Sequence, residues 1–216
     1  MTTIILFIIL IVAILGSFSL VMYFKFKTRL SNGVTFAEME KYEDEIKRKY
    51  YKYVTKFRTS QPDGSYDAVN INALANALQL KVEQASPSTT VRGILVAADS
   101  PEYNGIIRFT APEDNQFSEN FDIMHEIVHY LKDVGEGKKV STSFTRTHHG
   151  GPRSHREQVV DYYAAAMAIP RDSLRKQIDA CHGNPCSEEF VTKMMNIYRQ
   201  PRETVRRRIN EVIFLS

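Results

Sequence analysis

His125-Glu126-Ile127-Val128-His129 spells H-E-x-x-H. On a helix, residues four apart share a face, so both imidazoles can reach one metal ion. Glu126 follows the first histidine and is angled to reach a water on that ion. Apolar Ile123, Met124, Ile127, Val128 and Leu131 surround the motif at helical spacing, which predicts an amphipathic helix there. A zinc ion that keeps one position open for water needs a third protein ligand. The metzincin extension is excluded, because Lys132 and Gly135 stand where it requires Gly and His. The next candidate is Glu157-Gln158-Val159-Val160-Asp161, which again puts two carboxylates four apart. Glu157 is placed to complete a His-His-Glu set of the thermolysin type. Asp161, one turn on, is placed to accept the free N–H of a ligating imidazole. It sits among Val159, Val160, Tyr162, Tyr163 and Ala164, where a carboxylate usually has a partner. An oxyanion donor is not singled out: His148, His149, His155 and Tyr162 are all candidates.

These residues need two helices and a scaffold. Asn70–Leu80 reads as a short helix, with Ile71, Leu74, Ala75 and Leu78 on one face. Three β-like runs follow, 80–84, 91–98 and 105–110, and predict a small, largely antiparallel sheet. One metal helix runs through Phe117, Phe121, Met124, Val128 and Leu131. The other spans about Arg156–Ile169 and stops at Pro170. Between them the polar stretch 135–154 reads as a long loop. Helices at about 171–181, 188–198 and 202–214 close the chain. The last carries Arg202, Arg206, Arg207 and Arg208. This is the look of a DNA-docking helix pair, but the favoured reading is a pair packed on the core with solvated arginines and no nucleic-acid partner.

The chain has 216 residues with 28 basic and 25 acidic side chains, and none of these precedes Lys25. Ile4–Phe24 is long enough to span a bilayer, which takes about 20 helical residues. Met1-Thr2-Thr3 has no basic group and no small-residue cleavage pattern follows, so a signal peptide is disfavoured. Lys25, Lys27 and Arg29 follow the apolar run at once. The positive-inside rule then places the N-terminus outside and residues 25–216 in the cytoplasm, where Cys181 and Cys186 are expected as thiols. Thr35 and Glu38 fit a capping box, and the Lys-, Glu- and Tyr-rich helix after them reads as a wet surface and linker. The cluster Ser60–Ser65 reads as a breaker and domain boundary. A net charge of +3 is too small to argue for nucleic acid. The expected organisation is an anchor (1–24), a charged helical linker (25–64), a metal-dependent hydrolase domain (65–170) and a helical subdomain (171–216). The expected class is α+β: a single transmembrane helix, a zincin-like domain with its small sheet and zinc-site helices, and a C-terminal helical bundle.

The sequence resembles the ImmA/IrrE family of bacterial metallopeptidase-like proteins from about Val69 to the C-terminus. Phe121-Asp122-Ile123-Met124 before His125 is similar to that family's approach to its zinc helix. The second helix is similar to E-x-x-A-[DN]-x-F-A-x-x-L-L-M-P: Glu157, Asp161, Tyr163, Ala164, Ile169 and Pro170 stand in register. The departures are Val160 for Ala, Tyr163 for Phe and Met167-Ala168-Ile169 for Leu-Leu-Met, and Val128 replaces a common Gly. The resemblance implies a Zn²⁺ peptidase with His125, His129 and Glu157 as ligands and Glu126 as the base. It also implies a protein substrate of the helix-turn-helix repressor kind. The anchor at residues 4–24 is not a usual part of the family. The competing expectation is a regulatory binding protein that keeps the fold without catalysis.

Overall fold

The computed structural model describes residues 33–60, 67–86, 91–110, 115–147 and 154–215. The apolar leader at 4–24 lies outside them, as do His148, His149 and most of the Ser60–Ser65 cluster. Among the described residues no helix is long and apolar enough to cross a membrane. The architecture is α+β.

The chain enters through Gly33, at φ +87°, packed so tightly on α5 (His155–Ala168) that a Cβ there would lie 1.6 Å from Gln158 Oε1. Helix α1 (Phe36–Glu45) then starts at Thr35, whose hydroxyl accepts from the Glu38 amide while Glu38 closes the capping box. A π-helical turn (Ile46–Tyr50) leads into α2 (Tyr51–Lys56). This run was expected to be a wet linker. It is instead part of the core, with Val34, Met39, Ile46, Tyr53 and Val54 buried in the same apolar cluster as the two metal helices. Tyr42 packs on Tyr162 and Tyr163 of α5. The hydroxyls of those two tyrosines donate to Glu43 and Glu45, at 2.8 and 2.6 Å. The charges hid this face because two of them, Glu43 and Glu45, belong to it and are satisfied by those hydroxyls.

Strands β1 (Arg58–Ser60) and β2 (Asp67–Val69) pair antiparallel across the breaker cluster. Asn70 caps α3 (Ile71–Ala77), whose Ile71, Leu74 and Ala75 are buried as their spacing predicts. Next come β3 (Leu80–Gln84), β4 (Val91–Val96), β5 (Gly105–Phe109) and, after α4 (Ser118–His129), β6 (Phe144–Thr147). The sheet order is β3-β5-β4-β6. It is mixed rather than simply antiparallel. β5 inserts between β3 and β4, so it runs parallel to β3 and antiparallel to β4, with Val82 and Leu95 both opposite Ile107. β6 lies in the stretch expected to be a loop and pairs antiparallel with β4, Phe144 opposite Leu95. The β4–β6 register is irregular between Val91 and Gly93. Such bulges re-aim side chains and are common beside active sites.

α4 lies between this sheet and α5, and residues 121–131 are all buried. Fully buried Met124 and Ile127 each contribute about 1.5–3 kcal/mol of burial. α5 is buried from Val159 through Ala168 and ends before Pro170, which biases Ile169 out of the helical region (ψ 83°). α6 (Arg171–Asp179), α7 (Glu188–Tyr198) and α8 (Arg202–Phe214) close the fold. Cys181 and Cys186 are free thiols.

Two of the four arginines of α8 are solvated as expected and two are not. Arg202 and Arg206 both pair with Glu188. Arg207 donates to the Asp161 carbonyl, and Arg208 is fully buried. Arg202 and Arg206 thus remain surface groups beside exposed Glu188, while Arg207 and Arg208 turn into the fold.

Candidate metal centre

Two helices build the site. α4 presents His125 and His129 one turn apart, 1% and 2% exposed. α5 presents Glu157 in its first turn. Ser154 caps α5 by accepting from the Glu157 amide at 3.3 Å. Ser154 and Glu157 have capping-box spacing, yet the Glu157 carboxylate goes to the histidines instead of back to the cap. His125 Nε2 lies 3.1 Å from Glu157 Oε2, and His129 Nε2 lies 3.3 Å from Oε1. One ligand atom from each of the three residues falls within 4.8 Å of the others.

The other ring nitrogens fix the tautomers. His125 Nδ1 is 2.9 Å from Asp161 Oδ1, and His129 Nδ1 is 2.7 Å from Asp133 Oδ2. A carboxylate opposite Nδ1 draws the ring proton to that atom and leaves Nε2 as a lone pair. Two such lone pairs then face a carboxylate in a buried pocket. Three electron-pair donors so placed repel unless a cation lies among them, so the donor set fits a divalent metal.

Glu157 is ready for such a role. Burial alone would raise its carboxyl, but with both imidazoles protonated their hydrogen bonds and charge outweigh it and hold the group well below the usual carboxylate range; a metal cation supplies the same stabilisation when the Nε2 atoms carry lone pairs. Its place at the helix N-terminus also favours the anion.

Glu126 is fully buried, with its carboxylate against β4. A Cβ at Gly93 would lie 2.8 Å from Glu126 Oε1, so this strand position must be bare for Glu126 to sit as it does. The irregular register beside Gly93 also turns Arg92 towards buried Asp122, at 3.6 Å. Phe144 of β6 stacks on the His129 ring, with centroids 5.1 Å apart and planes 22° apart. Arg156 lies over the Phe144 ring and pairs with Asp133 at 2.9 Å.

The structure therefore brings together His125, His129, Glu157 and Asp161. It separates two of the oxyanion candidates from them. The Tyr162 hydroxyl donates to Glu43 on the α1 side, and burial pushes it up. His155 is exposed and lies 3.1 Å from Glu38. Three residues at the site were not foreseen: Asp133, Gly93 and Phe144. Asp133 was legible, since it stands four residues after His129 on the same helical face. Gly93 and Phe144 come from strands distant in sequence, and nothing local marks them. No known protein family and no curated protein matches the chain.

Proposed function

We propose that this chain is a membrane-anchored, zinc-dependent endopeptidase of the ImmA/IrrE type, acting on a regulatory protein such as a helix-turn-helix repressor. The carrying observation is the convergence of His125 Nε2, His129 Nε2 and the Glu157 carboxylate, with Asp161 and Asp133 holding the two rings. Tetrahedral zinc with bonds of about 2.0–2.1 Å spaces its ligand atoms about 3.3 Å apart. The histidine–Glu157 separations, 3.1 Å to Oε2 and 3.3 Å to Oε1, are on that scale, one to each carboxylate oxygen. The resemblance in the α5 sequence supports the same ligand set.

Bound zinc supplies Lewis-acid polarisation of a peptide carbonyl and lowers the pKa of water towards neutrality. Glu126 accepts a proton from the attacking water and delivers it to the departing amine as the C–N bond breaks. Asp161 and Asp133 keep the Nε2 lone pairs of His125 and His129 aimed at one point. β4 holds Glu126 in place and, with α4, shuts out bulk water.

The test is metal analysis of the purified chain together with incubation against a repressor encoded beside it. About one zinc per chain, and cleavage that a chelator abolishes and zinc restores, are expected. Stoichiometric zinc with no cleavage would favour the regulatory binding reading. A chain without zinc would end the metallopeptidase proposal.

Anchoring is supported by the uncharged run Ile4–Phe24 and the basic residues directly after it. Protease added to intact cells is expected to spare residues 25–216 and to digest them after permeabilisation. Digestion in intact cells would reverse the proposed orientation.

A further inference from the structure

Among the four arginines of α8, Arg207 contacts both helices of the metal centre, whereas Arg208 reaches α5 only at the Tyr162 ring and the Ile169 carbonyl. Its Nη2 donates to the backbone carbonyl of Asp161 at 3.1 Å. Its guanidinium carbon lies 5.8 Å from the Phe121 ring centroid. Its Nε is 3.6 Å from Glu211 Oε1, which balances the charge. Asp161 is the residue whose carboxylate takes the His125 ring proton, at 2.9 Å. Phe121 stands one turn before His125 on the same face of α4. A single cation thus touches α5 at the residue that orients His125, and α4 one turn below His125 itself.

The carbonyl that Arg207 grips lies inside α5, where one lone pair already belongs to the helix ladder. A charged donor on the second lone pair fixes the rotation of the helix at that residue. Rotating α5 about its axis would swing Asp161 away from His125 Nδ1 and carry Glu157, one turn earlier, with it.

We infer that Arg207 is a positioning residue of the metal centre: from α8 it sets how α5 sits against α4, and hence the aim of His125 and Glu157. The inference rests on the metal-centre reading. Neighbouring arginines do not duplicate the role, because Arg202 and Arg206 pair with Glu188, and Arg208 holds Glu43, Glu211 and the Ile169 carbonyl at the far end of α5 from Glu157.

The experiment compares the full chain with its R207M, R207K and I209A variants. Ile209 is buried on the same helix and serves as a packing control. Zn²⁺ affinity is read by chelator competition, the Co²⁺-loaded absorption spectrum reports ligand geometry, and the metal-free Tm reports the fold. R207M is expected to weaken Zn²⁺ about tenfold, the scale of outer partners of metal ligands, and to shift the Co²⁺ bands. R207K should recover part of both. I209A should lower the metal-free Tm and leave affinity and spectrum unchanged. Should R207M fail to fold, R207K against the parent chain carries the comparison, with a several-fold loss expected. Parent-like affinity and spectrum in the folded Arg207 variants would overturn the inference alone. So would an equal loss of affinity in I209A. A parent chain that binds no zinc would overturn the metal centre and this inference with it.

Discussion

The E126Q variant is expected to keep its zinc and lose about 10²–10⁴-fold in peptide cleavage, the usual worth of a positioned general base. Gln has the shape of Glu but cannot accept the proton of the attacking water. Metal retention follows because Glu126 is not among the residues whose atoms converge on the cation position. Burial makes the test clean, since no solvent carboxylate can take its place beside β4. A G93A variant should reproduce part of the loss by another route: its Cβ would stand 2.8 Å from Glu126 Oε1 and must displace that carboxylate. Turnover and metal content measured together decide the matter. Parent-like cleavage by E126Q would remove Glu126 from the mechanism. Loss of zinc in E126Q would mean that it belongs to the ligand set.

The second large effect is on stability. Arg208 is fully buried, its guanidinium 2.6 Å from Glu43 Oε1 and 3.3 Å from Glu211 Oε2, with Nε donating to the Ile169 carbonyl at 3.1 Å. It therefore ties α8 to α1 and to the end of α5. Burial pushes the Glu211 carboxyl up, against the pull of Arg207 and Arg208. R208M removes the cation and leaves Glu43 with the Tyr162 hydroxyl and Glu211 with Arg207. Breaking a buried pair in this way costs about 3–5 kcal/mol. At about 2–4 °C per kcal/mol for a chain of this size, the Tm should fall by about 6–20 °C. Adding E211Q to R208M should return part of that, because it removes a fully buried charge that has lost one of its two cations. Urea denaturation of the two variants measures both effects. A loss under about 1 kcal/mol in R208M would show that the network contributes little.

The site was more legible than its setting. H-E-x-x-H and the Glu157–Asp161 pair are short-range signals, since a helix fixes which residues share a face, and the core helices obeyed that rule. β6 was hidden because the polar run 135–154 carries no alternating apolar pattern, with only Val140 and Phe144 apolar in it. The parallel β3–β5 ladder was hidden because strand order depends on contacts far apart in sequence. The linker and the basic helix misled for one common reason. Hydropathy scores Glu43, Arg207 and Arg208 as surface residues, but opposite charges that find each other can be buried. Only the packed structure shows that they do.

Gly33 has a consequence for reach. It meets α5 at Gln158, the residue after Glu157. Eight residues, 25–32, separate it from the end of the uncharged leader. Fully extended, the nine steps from Phe24 to Gly33 span at most about 32 Å. With the leader in a bilayer as proposed, the start of α5 can stand no farther than that from the membrane face. A peptide bond that enters this cleft must then come within the same few nanometres of the lipid, which favours substrates that are themselves held at, or recruited to, the membrane surface.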